Sequence, residues 1–272
     1  MIEALRRGLP GPPGGEVWIG DDAAVLAPVD GVLLLTTDLS VEGVHGDLGL
    51  IGLDDLGWRA MTAAVSDIAA MGGRAHRAVV GVAGPPSTDV ARLYEGIGAC
   101  AELHRCPVVG GDLSGAVEVV VAVTVTQAAS SRRRGAHPTL AAANSDDVED
   151  AHRRPRARLA EGEVARLAGA TAMIDVSDGL LAELGHIADA SAVGFRLDGV
   201  PIAAGATREE ALGGGEDYEL VVATSDPDGL VRAFAAAGLR PPVAVGTCCA
   251  DPSERTLEGG PVPAVGYEHD FG

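Results

Sequence analysis

Ala172-Met173-Ile174-Asp175-Val176-Ser177-Asp178-Gly179-Leu180-Leu181-Ala182-Glu183-Leu184-Gly185-His186-Ile187-Ala188 reads as a strand, a turn and a helix in direct succession. Ala172–Ile174 is a short apolar run, and Leu180, Leu181, Leu184, Ile187 and Ala188 recur at the spacing of one helix face. Between them stand aspartates, a serine and a glycine, the residues of a tight turn. A strand that ends in carboxylates and feeds a helix is the unit of an α/β protein. In open α/β sheets, ligands gather at the carboxyl ends of the strands.

The same order of residues recurs upstream. Apolar runs lead into small or hydroxyl residues and then Asp at Ile19-Gly20-Asp21-Asp22, Leu35-Thr36-Thr37-Asp38 and Val109-Gly110-Gly111-Asp112. Val32–Leu35 reads as a buried strand, and Leu56–Met71 as a helix with Met61, Ala64, Val65, Ile68 and Met71 on one stripe. That helix also carries Asp67, near the small side chains Ala60, Ala63 and Ala70. A second helix follows the N-cap signal Ser87-Thr88-Asp89, with Val90, Leu93, Tyr94, Ile97 and Ala101 inward. Strands are expected at 117–126 and 219–223, and a helix at 230–237. Residues 1–16, rich in Gly and Pro, read as loose. The polar, charge-blocked stretch 127–158 reads as linker. The expected organisation is α/β in two lobes: an amino-terminal lobe over 1–127, a linker over 128–160 and a carboxyl-terminal lobe over 161–272.

Composition narrows the function. The 272 residues suffice for about two domains, and a mean hydropathy of +0.20 marks a folded globule. The formal charge is −19, and every basic side chain is arginine; the sequence contains no lysine. That excludes a Walker A loop, a lysine-dependent protein-kinase site and Schiff-base chemistry. Nucleic acid is excluded as a partner because its backbone demands clustered cations. No apolar run reaches the ~20 residues that span a bilayer, and no apolar leader precedes Pro10, so neither a membrane nor secretion is expected. Cys100, Cys106, Cys248 and Cys249 lack metal-site spacing and read as thiols of a reducing cytoplasm.

Converging carboxylates repel one another and are tolerated only with raised pKa values or bound cations. Oxygen ligands without a His or Cys cluster select Mg²⁺ or Ca²⁺ over zinc. Mg²⁺ uses one or two carboxylates plus substrate phosphates, so several aspartates point to more than one ion on a polyphosphate. Gly110-Gly111 and Gly213-Gly214-Gly215 would let backbone approach such a ligand closely.

Several strings together resemble the thiamine-monophosphate kinases, within the aminoimidazole ribonucleotide synthetase-like superfamily. They are Gly20-Asp21-Asp22-Ala23-Ala24-Val25-Leu26, Thr37-Asp38, Val41-Glu42-Gly43-Val44-His45, Ser66-Asp67-Ile68-Ala69-Ala70-Met71-Gly72, Gly110-Gly111-Asp112, Asp175-Val176-Ser177-Asp178-Gly179-Leu180 and Gly214-Gly215-Glu216-Asp217-Tyr218-Glu219-Leu220. The resemblance implies transfer of a phosphoryl group from ATP to thiamine monophosphate, yielding thiamine diphosphate, with several Mg²⁺ ions. It places Asp22, Thr36, Thr37, Asp38, Asp67, Asp112 and Asp175 around metals, with Asp178 on a further ion. Tyr94, Gly111, Asp112, Arg133 and Ser177 match ATP-contacting positions, while His45, Glu216 and Tyr267 match positions facing the thiamine substrate. It further implies a homodimer built on the amino-terminal lobe. The linker is shortened relative to the family, and the second lobe is expected to lose its first strand. Two other readings share these motifs: a superfamily relative using ATP on another substrate, and a non-catalytic protein binding ATP and Mg²⁺.

Overall fold

Apolar and hydroxyl residues alternate along Val32–Val41, which forms β1, a strand that continues beyond the expected Val32–Leu35 through Thr36, Thr37 and Asp38. The structure, a computed structural model, describes residues 7–19, 23–28, 31–129, 139–142, 152–263 and 265; side chains at 128–129 and 139–142 are outside the description. It divides into two units, Met1–Ile68 with Gly73–Ser131 and Ala69–Gly72 with Arg132–Gly272.

In the first unit β1 is joined by β2 (Ala75–Gly84), β3 (Val108–Gly115) and β4 (Val120–Ala129), in the order β1-β4-β2-β3. The β2–β3 pair is parallel and the other pairs are antiparallel. Val121, Val123 and Val125 of β4 and Ala78, Val80 and Val82 of β2 are buried, while their neighbours are not, so one sheet face is covered. The opposite face carries Leu33, Leu35, Leu39 and Val79, exposed by 57, 67, 59 and 42%.

Helix α1 (Leu53–Ala70) and helix α2 (Val90–Leu103) complete the unit. The α2 N-cap is the expected one: Asp89 accepts from the Arg92 amide at 3.1 Å. Met61, Val65 and Ile68 of α1 and Leu93 and Ile97 of α2 are fully or nearly fully buried. Met71, expected on the α1 stripe, follows the end of the helix and is 58% exposed. The two helices touch backbone to backbone: a Cβ on Gly96 would lie 1.7 Å from the Asp54 carbonyl oxygen. Residues ahead of β1 are not loose throughout. Glu16 is buried; its carboxylate accepts from Trp18 Nε1 at 2.7 Å and from Arg77 Nε and NH2 at 3.1 and 3.0 Å. Val17 pairs with Val25 in an isolated antiparallel bridge.

In the second unit a seven-stranded sheet runs in the order β11-β10-β7-β9-β5-β8-β6. Its strands are β5 (Thr139–Ala142), β6 (Ala172–Asp175), β7 (Gly194–Leu197), β8 (Leu220–Ala223), β9 (Val243–Cys249), β10 (Arg255–Leu257) and β11 (Gly260–Pro261). Helices α3 (Leu159–Leu167), α4 (Leu180–Ser191), α5 (Arg208–Gly213) and α6 (Pro227–Ala236) accompany it. Every residue of β8 is buried. Val221 and Ala223 join a core with Leu180, Leu181, Leu184, Ile187 and Ala188 of α4, whereas Leu220 and Val222 join Ala165, Leu230 and Phe234 of α3 and α6. Helices therefore cover both faces of β8, which explains its unbroken apolar run.

Thr139–Ala142 corrects one expectation. The stretch read as linker contains β5, an internal strand paired with β8 and β9, so the second unit does not lose a strand there. The strand went unread because Thr-Leu-Ala-Ala has no alternation and alanine has weak β preference.

Candidate functional site

In the first unit, β1 and α1 assemble the oxygen ligands. Side chains two apart on a strand share a face. Thr36 and Asp38 thus lie on the covered face, where the Thr36 hydroxyl donates to Asp67 Oδ2 of α1. Thr37 lies on the other face, with Thr124 Oγ1 donating to its hydroxyl at 3.0 Å. Both Asp38 and Asp112 stand inside strands rather than beyond strand ends, contrary to the pattern read from the sequence.

Register separates these two aspartates. Asp38 is opposite Val123, Val123 opposite Val80 and Val80 opposite Gly111, forming one row on the covered face. Asp112 belongs to the next row, with Gly81, Ala122 and Leu39, on the leucine face. They occupy opposite edges of a four-stranded sheet, about 14 Å apart measured along it. Sheet pairing within one chain does not bring them to a common ion. Gly111 is fixed by its neighbour: a Cβ there would lie 2.0 Å from the Val80 carbonyl oxygen.

Tyr94 is partly covered on α2, and burial pushes its hydroxyl up to about 12, so it stays a protonated donor. His45 sits in the turn after β1. Its Nδ1 accepts from the Val41 amide at 3.1 Å, which assigns the neutral-ring proton to Nε2.

In the second unit, Asp175 ends β6 and is buried, and the turn after it is held from two sides. The Glu216 amide donates to the Ser177 carbonyl at 2.7 Å and the Tyr218 amide to the Val176 carbonyl at 2.9 Å. Buried Glu183, inside α4, takes at its Oε1 the Ser177 hydroxyl and the Asp178 amide, each at 3.1 Å. Gly179 has φ +108°, and a Cβ there would lie 2.8 Å from the Gly213 carbonyl. Glu216 and Tyr218 also have positive φ, +61° and +52°, a backbone cost tolerated only where the surroundings impose it. The predicted Asp175, Ser177, Asp178 and Glu216 are thereby gathered about one pair of interlocked loops. Beyond them, Glu219 is buried and paired with Arg158. Burial lifts its carboxyl to about 7 against the opposing pull of Arg158.

Asp22, Arg133 and Tyr267 lie outside the described residues. Glu183 was missed by sequence reasoning: a lone glutamate in the first turn of an amphipathic helix reads as a solvated charge, and nothing local announces that it turns back to Ser177 and the Asp178 amide.

Among the described residues no group of three or more His, Cys, Asp or Glu side chains is close enough to hold a metal ion. Oxygen donors in ones and twos still fit magnesium, which keeps its waters and binds through one or two carboxylates and the phosphates of a ligand. They do not fit a preformed calcium cage or a zinc site. Among the described residues no helix is long and apolar enough to cross a membrane.

Known proteins resemble this chain over most of its length. The model of the AIR synthase related protein N-terminal domain matches residues 20–128, and that of the AIR synthase related protein C-terminal domain matches residues 119–257. The thiamine-monophosphate kinase of Bacillus subtilis (strain 168) is 31% identical over 271 residues, covering 84% of this chain and 83% of that protein. The crystal structure of thiamine-monophosphate kinase from Stenotrophomonas maltophilia K279a superposes with a TM-score of 0.79 at 26% identity, covering 96% and 95% of the two chains. The structure of AaThiL complexed with AMPPCP and TMP gives 0.75 at 26% identity, covering 93% and 92%.

Proposed function

The chain belongs to the thiamine-monophosphate kinase family of AIR synthase related proteins and is a thiamine-phosphate kinase; on that footing we propose that it moves the terminal phosphoryl group of ATP directly onto the phosphate of thiamine monophosphate. The observation that carries this reading is the pairing of Thr36 with Asp67 on the face that bears Asp38. It is a hard-oxygen site in a chain with no lysine to neutralise phosphate. A related structure with AMPPCP and TMP bound supports it.

Magnesium bound by these oxygens would neutralise charge on the phosphates and draw the two anionic substrates together. Asp38, Asp67 and Thr36, with Asp22, serve one side of the nucleotide, whereas Thr37 offers its oxygen from the opposite face of β1, the face of Asp112. Asp112 serves a separate ion position, since register keeps it from Asp38 within one chain. Asp175 and Asp178 supply further carboxylates for metal, and Ser177 meets the nucleotide. Tyr94, Gly111 and Arg133 contact ATP; His45, offering Nε2–H, faces the thiamine substrate with Glu216 and Tyr267. The attacking phosphate oxygen is already anionic near neutral pH, because the second pKa of a phosphate monoester is about 6. The residues therefore need to position and neutralise rather than abstract a proton.

The uncovered face bearing Leu33, Leu35, Leu39 and Val79 supports a homodimer through this sheet, because apolar sheet faces of that kind are normally covered. The described cysteines are unpaired thiols, in keeping with a cytoplasmic setting. Incubation with ATP, Mg²⁺ and thiamine monophosphate is expected to yield thiamine diphosphate and ADP. Absence of product at several millimolar Mg²⁺ overturns the reading.

A further inference from the structure

Buried Glu183 has the geometry of a residue acting through its neighbours. It lies one turn into α4, is 3% exposed, and directs one oxygen at both the Ser177 hydroxyl and the Asp178 amide. A serine hydroxyl has one hydrogen to give and two lone pairs to offer. Here the hydrogen goes to Glu183, at 3.1 Å. The Ser177 carbonyl is also engaged, taking the Glu216 amide at 2.7 Å. What the Ser177 side chain can still present to a ligand is a lone pair.

We infer that Glu183 is a positioning residue which commits the Ser177 proton, so that Ser177 meets the nucleotide as an acceptor. It would receive a ribose hydroxyl or amino hydrogen, or a Mg²⁺ ion, and would not donate to a phosphate oxygen. The inference rests on the nucleotide reading of Ser177 given above and adds to it both a residue and a polarity. Glutamine at 183 keeps an oxygen that can accept from both donors, whereas alanine removes it and frees the hydroxyl to rotate.

Calorimetric titration of AMPPCP with Mg²⁺ tests this on the wild-type chain, Glu183→Gln, Glu183→Ala, Ser177→Ala and the double variant Ser177→Ala/Glu183→Ala. Glu183→Ala and Ser177→Ala are each expected to weaken binding about 10-fold, the effect of losing one good hydrogen bond. Glu183→Gln should stay within about 3-fold of wild type, since the amide oxygen can still accept. The double variant should bind no more weakly than Glu183→Ala alone, because residues acting as one unit are not additive. Additive losses, or an unchanged affinity in a Glu183→Ala chain that melts cooperatively, would overturn the inference. Should the alanine variant fail to fold, Glu183→Asp, one methylene shorter, carries the same expectation of loss and of non-additivity with Ser177→Ala. A wild-type chain that takes up no AMPPCP overturns the nucleotide reading itself, and is distinguishable from wild-type binding that Glu183 variants leave untouched.

Discussion

Asp67 is the residue at which two elements and one chemistry meet. It stands on α1 and takes the Thr36 hydroxyl from β1. Asparagine there keeps an oxygen for Thr36 but loses the negative charge that a cation needs. Asp67→Asn is expected to lower kcat about 100-fold or more, by removal of the charge proposed to hold a metal, with a melting temperature near wild type. A loss of the same size in thermal stability would instead make Asp67 a structural residue. At this scale the sequence was legible wherever a carboxylate or cap stood in a short motif, as with Asp89 and the Asp175–Gly179 turn. It was silent where the partner lay far along the chain. Nothing near Glu16 announces Arg77, and nothing near Asp38 shows that Asp112 sits on the opposite face of the same sheet.

Elements add constraints that no single motif carries. Gly96 lies inside α2, where alanine would ordinarily gain about 1 kcal/mol of helix propensity. The Asp54 carbonyl oxygen is 1.7 Å from where its Cβ would stand, so the helices must separate to admit a methyl group. Gly96→Ala is therefore expected to destabilise by about 1–3 kcal/mol, read as a fall in the urea midpoint. The Arg158–Glu219 pair gives a second expectation. Burial raises the Glu219 carboxyl from 4.5 to about 7. Below pH 4.5 it is neutral in both folded and unfolded chains; as pH rises toward 7 the unfolded chain ionises first, and folding loses stability. Relative to Glu219→Gln, the wild-type chain should lose up to about 3 kcal/mol between pH 4.5 and pH 7.5, measured by urea unfolding at each pH. Equal pH slopes in the two chains would contradict this. Helix faces were the most legible elements: each of the five apolar residues assigned inward on α4 is buried. β5 was the least legible, four residues whose place is set by partners some eighty and a hundred positions later.

For the whole molecule, the leucine face of the first sheet is the feature with the widest reach. Leu35 and Leu39, two-thirds and more than half exposed, project from an edge strand on the side that helices leave open. Leu35→Asp/Leu39→Asp is expected to shift a dimer to monomers in analytical ultracentrifugation, since charges at the centre of an apolar interface are strongly disfavoured. A wild-type chain that sediments as a monomer would remove the homodimer from the proposal. Net charge of −19 works in the same direction as the proposed cation chemistry: divalent ions would relieve self-repulsion as well as bind phosphate.

The internal position of β5 also bears on how the polypeptide is made. Its neighbours β8 and β9 leave the ribosome long after it does, so the newly emerged segment waits without strand partners until residues 220–223 arrive, and with one edge unpaired until residues 243–249 follow. Translation arrested before Val243 would leave one edge of that strand open to other nascent chains, and the second unit can close its sheet only once β9 has been made.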